Sequence, residues 1–147
     1  MFGPPGLAYV YLVYGMYHCL NVVTEPEGRA AAILVRAAEP VLGVEAMRAA
    51  RRSDSRRRPA AGDVSRLASG PGVLCRAMSI TRADSGLDLL DPDGPLRLEL
   101  PAEPLPAARV AATARVGIDY APEPWRGIAW RFLDRESPAV SGPRVRP

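Results

Sequence analysis

Apolar positions run almost unbroken from Leu7 to Val23, and Gly15, His18 and Asn21 divide the run rather than end it. Residues 9–14 read Tyr-Val-Tyr-Leu-Val-Tyr, β-branched and aromatic side chains that suit a pleated strand. A period of two puts Tyr9, Tyr11 and Val13 on one face and Val10, Leu12 and Tyr14 on the other. Gly15-Met16 then predicts the turn, with glycine supplying freedom in φ, and residues 17–23 return as a second strand. Residues 30–36 form a short apolar run ending in a charge, which predicts a third, buried strand. Pro40 opens a predicted helix with Val44 and Met47 on its apolar side, running toward Arg51. Ser69-Gly70-Pro71-Gly72 opens a second helix through about Ile80, with Pro71 in its first turn. Leu96-Arg97-Leu98-Glu99-Leu100 alternates and predicts a strand. Residues 110–118 admit two readings: Ala111, Ala112 and Ala114 favour helix, whereas Val116 and Ile118 favour strand. The second half is assigned to a strand. Residues 130–133 are a last short strand, and residues 53–62, with Arg56-Arg57-Arg58, form a basic loop. The expected fold is mixed α/β of the α+β kind, a single domain over residues 1–140 with a mainly antiparallel sheet, a protruding β-hairpin and flanking helices. Residues 141–147 are expected to be a flexible tail.

Composition narrows the possibilities. With 147 residues, 48% hydrophobic and 24% charged, the chain has enough apolar surface for one folded core and is unlike a disordered segment. The formal net charge of +3 suits a polyanionic partner without requiring one. All 19 basic side chains are arginine. Arginine suits bidentate phosphate contact, and a GC-rich coding bias produces the same composition. Without lysine no side-chain amine exists to form a Schiff base, which argues against lyase chemistry through such an intermediate. Cys19 and Cys75 form neither a disulfide framework nor a metal site by spacing, and the single His18 lacks a second ligand pair, so no metal or cofactor is expected. The first residues lack a basic region followed by a long apolar run, and the interruptions between Leu7 and Val23 argue against a membrane span. A cytoplasmic monomer is the expectation.

Four of the five tyrosines, Tyr9, Tyr11, Tyr14 and Tyr17, surround one turn. Aromatic side chains at a hairpin tip serve a protein that wedges between stacked bases and holds one in a pocket. They equally serve as strand core, and that alternative holds best for Tyr9. Because alternation separates Tyr11 from Tyr14, the two do not share one core.

A resemblance spans almost the whole chain. Met1-Phe2, Pro5-Gly6, Tyr9-Val10-Tyr11, Tyr14-Gly15-Met16-Tyr17, Asn21, Leu34-Val35-Arg36-Ala37 and Glu39-Pro40 resemble the alkyladenine (3-methyladenine) DNA glycosylase family. Ser69-Gly70-Pro71, Leu74-Cys75, Ala77, Ala114-Arg115-Val116-Gly117, Arg131-Phe132 and Ser137-Pro138 follow in the same order. The resemblance implies a curved sheet and excision of alkylated purines from double-stranded DNA by base flipping and water attack on the N-glycosidic bond, leaving an abasic site. It implies that Tyr14 is the wedge, with Met16 and Tyr17 beside it, and that Tyr11 stacks on the flipped base, where a cationic alkylated purine gains from an aromatic face. Asn21 would line the base pocket and reject guanine through its exocyclic amine; a strand-edge asparagine is the plain alternative. Arg36 would hold the attacking water and the catalytic carboxylate, against a structural salt bridge. Val116 would hold the same water through its main-chain carbonyl. The start of the second helix would offer N–H groups to a phosphate or simply be capped. The five arginines between positions 51 and 58 would touch the DNA backbone or form a solvated charge run.

The resemblance also implies a glutamate that activates water, a second stacking tyrosine in a Glu-Ala-Tyr-like segment, and a histidine soon after. In the family all three precede the position of Met1. Glu25, Glu27 and His18 do not match them, so the chain as written is expected to be inactive, either as part of a longer reading frame or as a non-catalytic DNA-binding module.

Overall fold

The computed structural model describes residues 1–52 and 63–142. The expected basic loop at residues 53–62 and the last five residues of the expected tail lie outside the described residues. Mixed α and β structure is present, as the hydrophobic pattern predicts. Five strands, β1 (Ala8–Val13), β2 (Tyr17–Val23), β3 (Ala32–Leu34), β4 (Val110–Thr113) and β5 (Arg131–Asp134), accompany two helices, α1 (Val44–Ala50) and α2 (Pro71–Ala77). They form two antiparallel sheets, β1-β2-β3 and β4-β5, neither closed into a barrel. Among the described residues no helix is long and apolar enough to cross a membrane.

The hairpin forms where the aromatic pattern places it, with one change at the tip. Val13 pairs with Tyr17, and the Met16 N–H donates to the Val13 carbonyl at 3.0 Å. The central turn residues are therefore Tyr14 and Gly15, not Gly15 and Met16, with φ of 50° and 68°. Two successive left-handed residues match the twist of the flanking strands, and the glycine takes one of them without steric cost. Tyr14 thus leaves the strand and its alternation.

The core lies on the face of the hairpin formed by Ala8, Val10 and Leu20, packed with Leu74, Ala77 and Ile80. Pro71 occupies the first helical turn of α2 after the Gly70 cap, as expected. Since β3 pairs only with Asn21, Val22 and Val23, the Tyr17–Leu20 half of β2 is free to meet α2. The approach is close: a Cβ at Gly72 would sit 2.8 Å from the Tyr17 Cβ.

Four expectations fail for physical reasons. α1 begins after the left-handed Gly43, φ 70°, rather than at Pro40, leaving Val41 and Leu42 exposed. Residues 96–100 are not a strand: among the described residues no strand pairs with them, the Leu98 N–H alone of their backbone N–H groups reaches a carbonyl, that of Leu89, and Leu100 is 96% exposed. Residues 110–118 become a strand in their first half, where β5 pairs with them, while Gly117, φ 79°, turns Val116 and Ile118 out of the ladder. The run at 30–36 shortens to three paired residues.

Arg51 departs from the expected basic run as well. It is 2% exposed, and its Nη1 donates to the carbonyls of Arg66 and Leu67 at 2.8 and 3.0 Å. It closes the end of α1 onto the chain before α2, so it is an internal cross-link rather than a phosphate contact.

Candidate base-flipping site

Directly opposed residues of paired strands share one face. Tyr11 opposes Cys19, Tyr9 opposes Asn21, and Asn21 opposes Leu34, so the face turned away from the core carries all of these. Tyr9 and Tyr11 stack there with ring centroids 5.5 Å apart at 28°. The stack fixes the Tyr11 ring, and Tyr9 acts as its support. Burial holds the Tyr11 phenol above its ordinary range, reinforced by Cys19 and Tyr9. Burial likewise raises the Cys19 thiol, against a hydrogen bond from Tyr11 and the Arg36 charge, and raises Cys75 to about 11. Both cysteines are free, neutral packing groups rather than nucleophiles.

In front of this face lies a cavity of about 910 Å³. Tyr11, Asn21, Leu34 and Arg36 line it from the hairpin sheet. Arg115, Val116 and Ile118 come from the chain after β4, and Trp130, Arg131 and Phe132 from around the start of β5. Four expected site residues, Tyr11, Asn21, Arg36 and Val116, are thereby brought together from three separated stretches of chain. Tyr14, Met16 and Tyr17 lie outside the cavity at the hairpin tip. Tyr14 is 89% exposed and Met16 62%. Tyr17 is turned against α2, with the Arg76 guanidinium 5.7 Å from its ring centre and Gly72 beneath it. It ties the tip to the helix while keeping an exposed edge.

Asn21 is buried, and its Nδ2 donates to the carbonyls of Tyr9 at 3.0 Å and Cys19 at 3.3 Å. Both amide hydrogens are committed, so the side chain is held in one orientation and Oδ1 is the atom left over. Arg36 offers a different chemistry. Its Nε is buried without a hydrogen-bond partner, and no carboxylate pairs with it among the described residues. Arg131 stands near it, bonded through Nη1 to Thr113 Oγ1 at 3.1 Å and through Nη2 to the Ser141 carbonyl at 2.9 Å. Burial lowers the pKa of Arg131, and the like charge of Arg36 adds to this. A buried donor with no partner beside a second guanidinium favours an anion or a strongly polarised water. The Val116 carbonyl accepts no hydrogen bond among the described residues and borders the same space.

The Gly70 N–H, a candidate phosphate donor, instead donates to the Arg36 carbonyl at 2.9 Å. It anchors the chain that carries Arg36. Among cavity carboxylates, Asp134 is bonded by Arg109, which holds its carboxyl below the usual range, and Glu39 is exposed.

Tyr11, Asn21, Arg36, Val116 and Arg131 all fall within a stretch matching the methylpurine-DNA glycosylase model over residues 1–138. The chain belongs to the methylpurine-DNA glycosylase family. It is 50% identical to a protein of Methanocella arvoryzae over 142 residues, covering 96% of this chain and 64% of that protein. It is 44% identical to one of Alkaliphilus oremlandii (96% and 67% covered) and 47% identical to one of Nocardia farcinica (100% and 64%). Each of the three carries the name "Putative 3-methyladenine DNA glycosylase". The chain thus spans about 64% of the length of the first and third of these relatives.

The aromatic and arginine wall of the cavity was missed from the hydrophobic pattern. Trp130 and Phe132 read as part of a last short strand, and Arg115 as part of the 110–118 segment whose second half is assigned to a strand. The signal available was the pair of matched segments around Val116 and Arg131, whose shared role becomes visible only when β4 and β5 pair.

Proposed function

We propose that this chain forms the flipping wedge and base pocket of a DNA glycosylase that removes alkylated purines from duplex DNA. The observation that carries this reading is the separation of two aromatic roles on one hairpin. Tyr14 projects into solvent at the tip, with nothing to gain there from folding, while Tyr11 is braced by Tyr9 at the wall of a cavity. A wedge must be exposed to enter the base stack, and a stacking platform must be immobile to receive the extruded base. A cationic alkylpurine gains from the Tyr11 face and is already a good leaving group. The rigid Asn21 amide opposes a base with an extra exocyclic group because it is held by two bonds and cannot swing aside. The partnerless Nε of Arg36 and the open Val116 carbonyl suit a water positioned for attack at C1′. Hydrolysis without a lysine nucleophile leaves an abasic site and no strand break.

The same reading assigns no general base among the cavity carboxylates of the described residues. Asp134 is committed to Arg109, and Glu39 is exposed. A glutamate in a Glu-Ala-Tyr segment, as the family resemblance implies, would supply the base. The chain by itself is then a DNA-binding and base-holding unit. The test is release of methylated purines from alkylated duplex DNA by residues 1–147, with and without a Glu-Ala-Tyr-bearing segment joined upstream. Both proteins should bind an abasic-site duplex, and only the extended one should release base. Release at similar rates by both would refute the assignment of the base, and no binding by either would refute the flipping site.

A further inference from the structure

Within the matched segment Ala114-Arg115-Val116-Gly117, the base-flipping reading gives Val116 a role and Arg115 none. Yet Arg115 is unusually fixed for an exposed arginine. Its guanidinium lies 5.3 Å from the centre of the Trp130 ring, and its Nη2 donates to the Trp125 carbonyl at 3.1 Å. The two indoles lie 5.8 Å apart at 40°, forming a half-exposed aromatic shelf. Among the described residues no carboxylate pairs with Arg115. A long side chain that normally samples many rotamers in water is thus held at one place, with most of its five N–H donors still free. An aromatic face orients a guanidinium without neutralising it.

Its position is as informative as its charge. Arg115 lines the same cavity as Tyr11 and Arg36, but it is exposed, whereas the Asn21 floor is buried. It therefore stands at the rim. A base that enters the cavity stays joined to its sugar, and the phosphates on either side of that sugar must come to the rim. A rim phosphate is best met by a planar, unpaired, immobilised cation.

We infer that Arg115 binds a backbone phosphodiester flanking the flipped nucleotide, with Trp125 and Trp130 holding its guanidinium in place. The inference rests on the cavity being a base pocket, and it adds a contact that fixes the extruded nucleotide by its backbone rather than by its base.

The test uses duplex DNA with an abasic-site analogue, made either with natural phosphates or with neutral methylphosphonates flanking the site. On the natural duplex R115Q should bind roughly tenfold more weakly at low salt. Its slope of log affinity against log salt should be shallower by about one. On the methylphosphonate duplex R115Q and the unaltered chain should bind alike. R115K keeps the charge and should keep the salt slope, which separates loss of a phosphate contact from loss of folding. Equal loss by R115Q on both duplexes, or an unchanged slope on the natural one, overturns the assignment of Arg115 while leaving the base-pocket reading intact. Failure of the unaltered chain to bind either duplex overturns both.

Discussion

Tyr14 is a residue whose backbone is unfavourable and whose side chain is unused by the fold. An aromatic residue at φ 50° is uncommon, and 89% of it faces solvent. Asparagine tolerates that φ better, so Tyr14→Asn should leave stability equal or raise it by up to about 1 kcal/mol in denaturant unfolding. The same variant should lose most of its affinity for an abasic-site duplex. A variant that is as stable and binds as tightly would remove the wedge. Asn21 should behave in the opposite way. Its two bonds to Tyr9 and Cys19 are internal, so Asn21→Ala should cost about 1–2 kcal/mol of folding stability, measurable in the same experiment. The roles proposed for Tyr14 and Asn21 come to the sequence only through the resemblance, since alternation counted Tyr14 as a strand residue. The turn geometry that frees it depends on Gly15 taking the second left-handed position. The tethering of the Asn21 amide depends on register, which no single strand encodes.

At the scale of elements, local composition identified the strands and helices that have close partners and misread those that lack them. β1, β2 and α2 stand where the pattern predicts because aromatic and β-branched content, the turn glycine and Pro71 all agree. The 96–100 segment alternates as well as any strand and still remains outside a sheet, because alternation specifies a face and not a neighbour. Two elements carry predictions. The hairpin rests on α2 through the contact of Tyr17 with Gly72, so Gly72→Ala should force them apart at a cost of about 1–3 kcal/mol. It should also weaken DNA binding by displacing the tip. The end of the β4-β5 ladder is held by Arg109, bonded to Asp134 and paired with Glu136. The hydrogen bond from Arg109 lowers the Asp134 pKa below its unfolded value of about 3.9. The stabilisation is therefore fully present above that value and is lost as pH falls through the folded one. Asp134→Asn should be less stable than the unaltered chain at neutral pH, with the difference shrinking below about pH 4 in acid-unfolding curves.

At the scale of the whole molecule, two small sheets and two short helices bring Tyr11, Asn21, Arg36 and Val116 to one cavity while the hairpin tip stands clear of it. That division between a braced stacking wall and a free wedge is the central claim. Fluorescence of 2-aminopurine placed beside an alkylated purine in duplex DNA measures it directly, because the probe brightens when that stacked neighbour is flipped out. Binding of the unaltered chain should raise the emission, and binding of Tyr14→Ala, at concentrations that saturate the duplex, should not. An equal rise with Tyr14→Ala, or no rise when the unaltered chain is fully bound, would contradict the account.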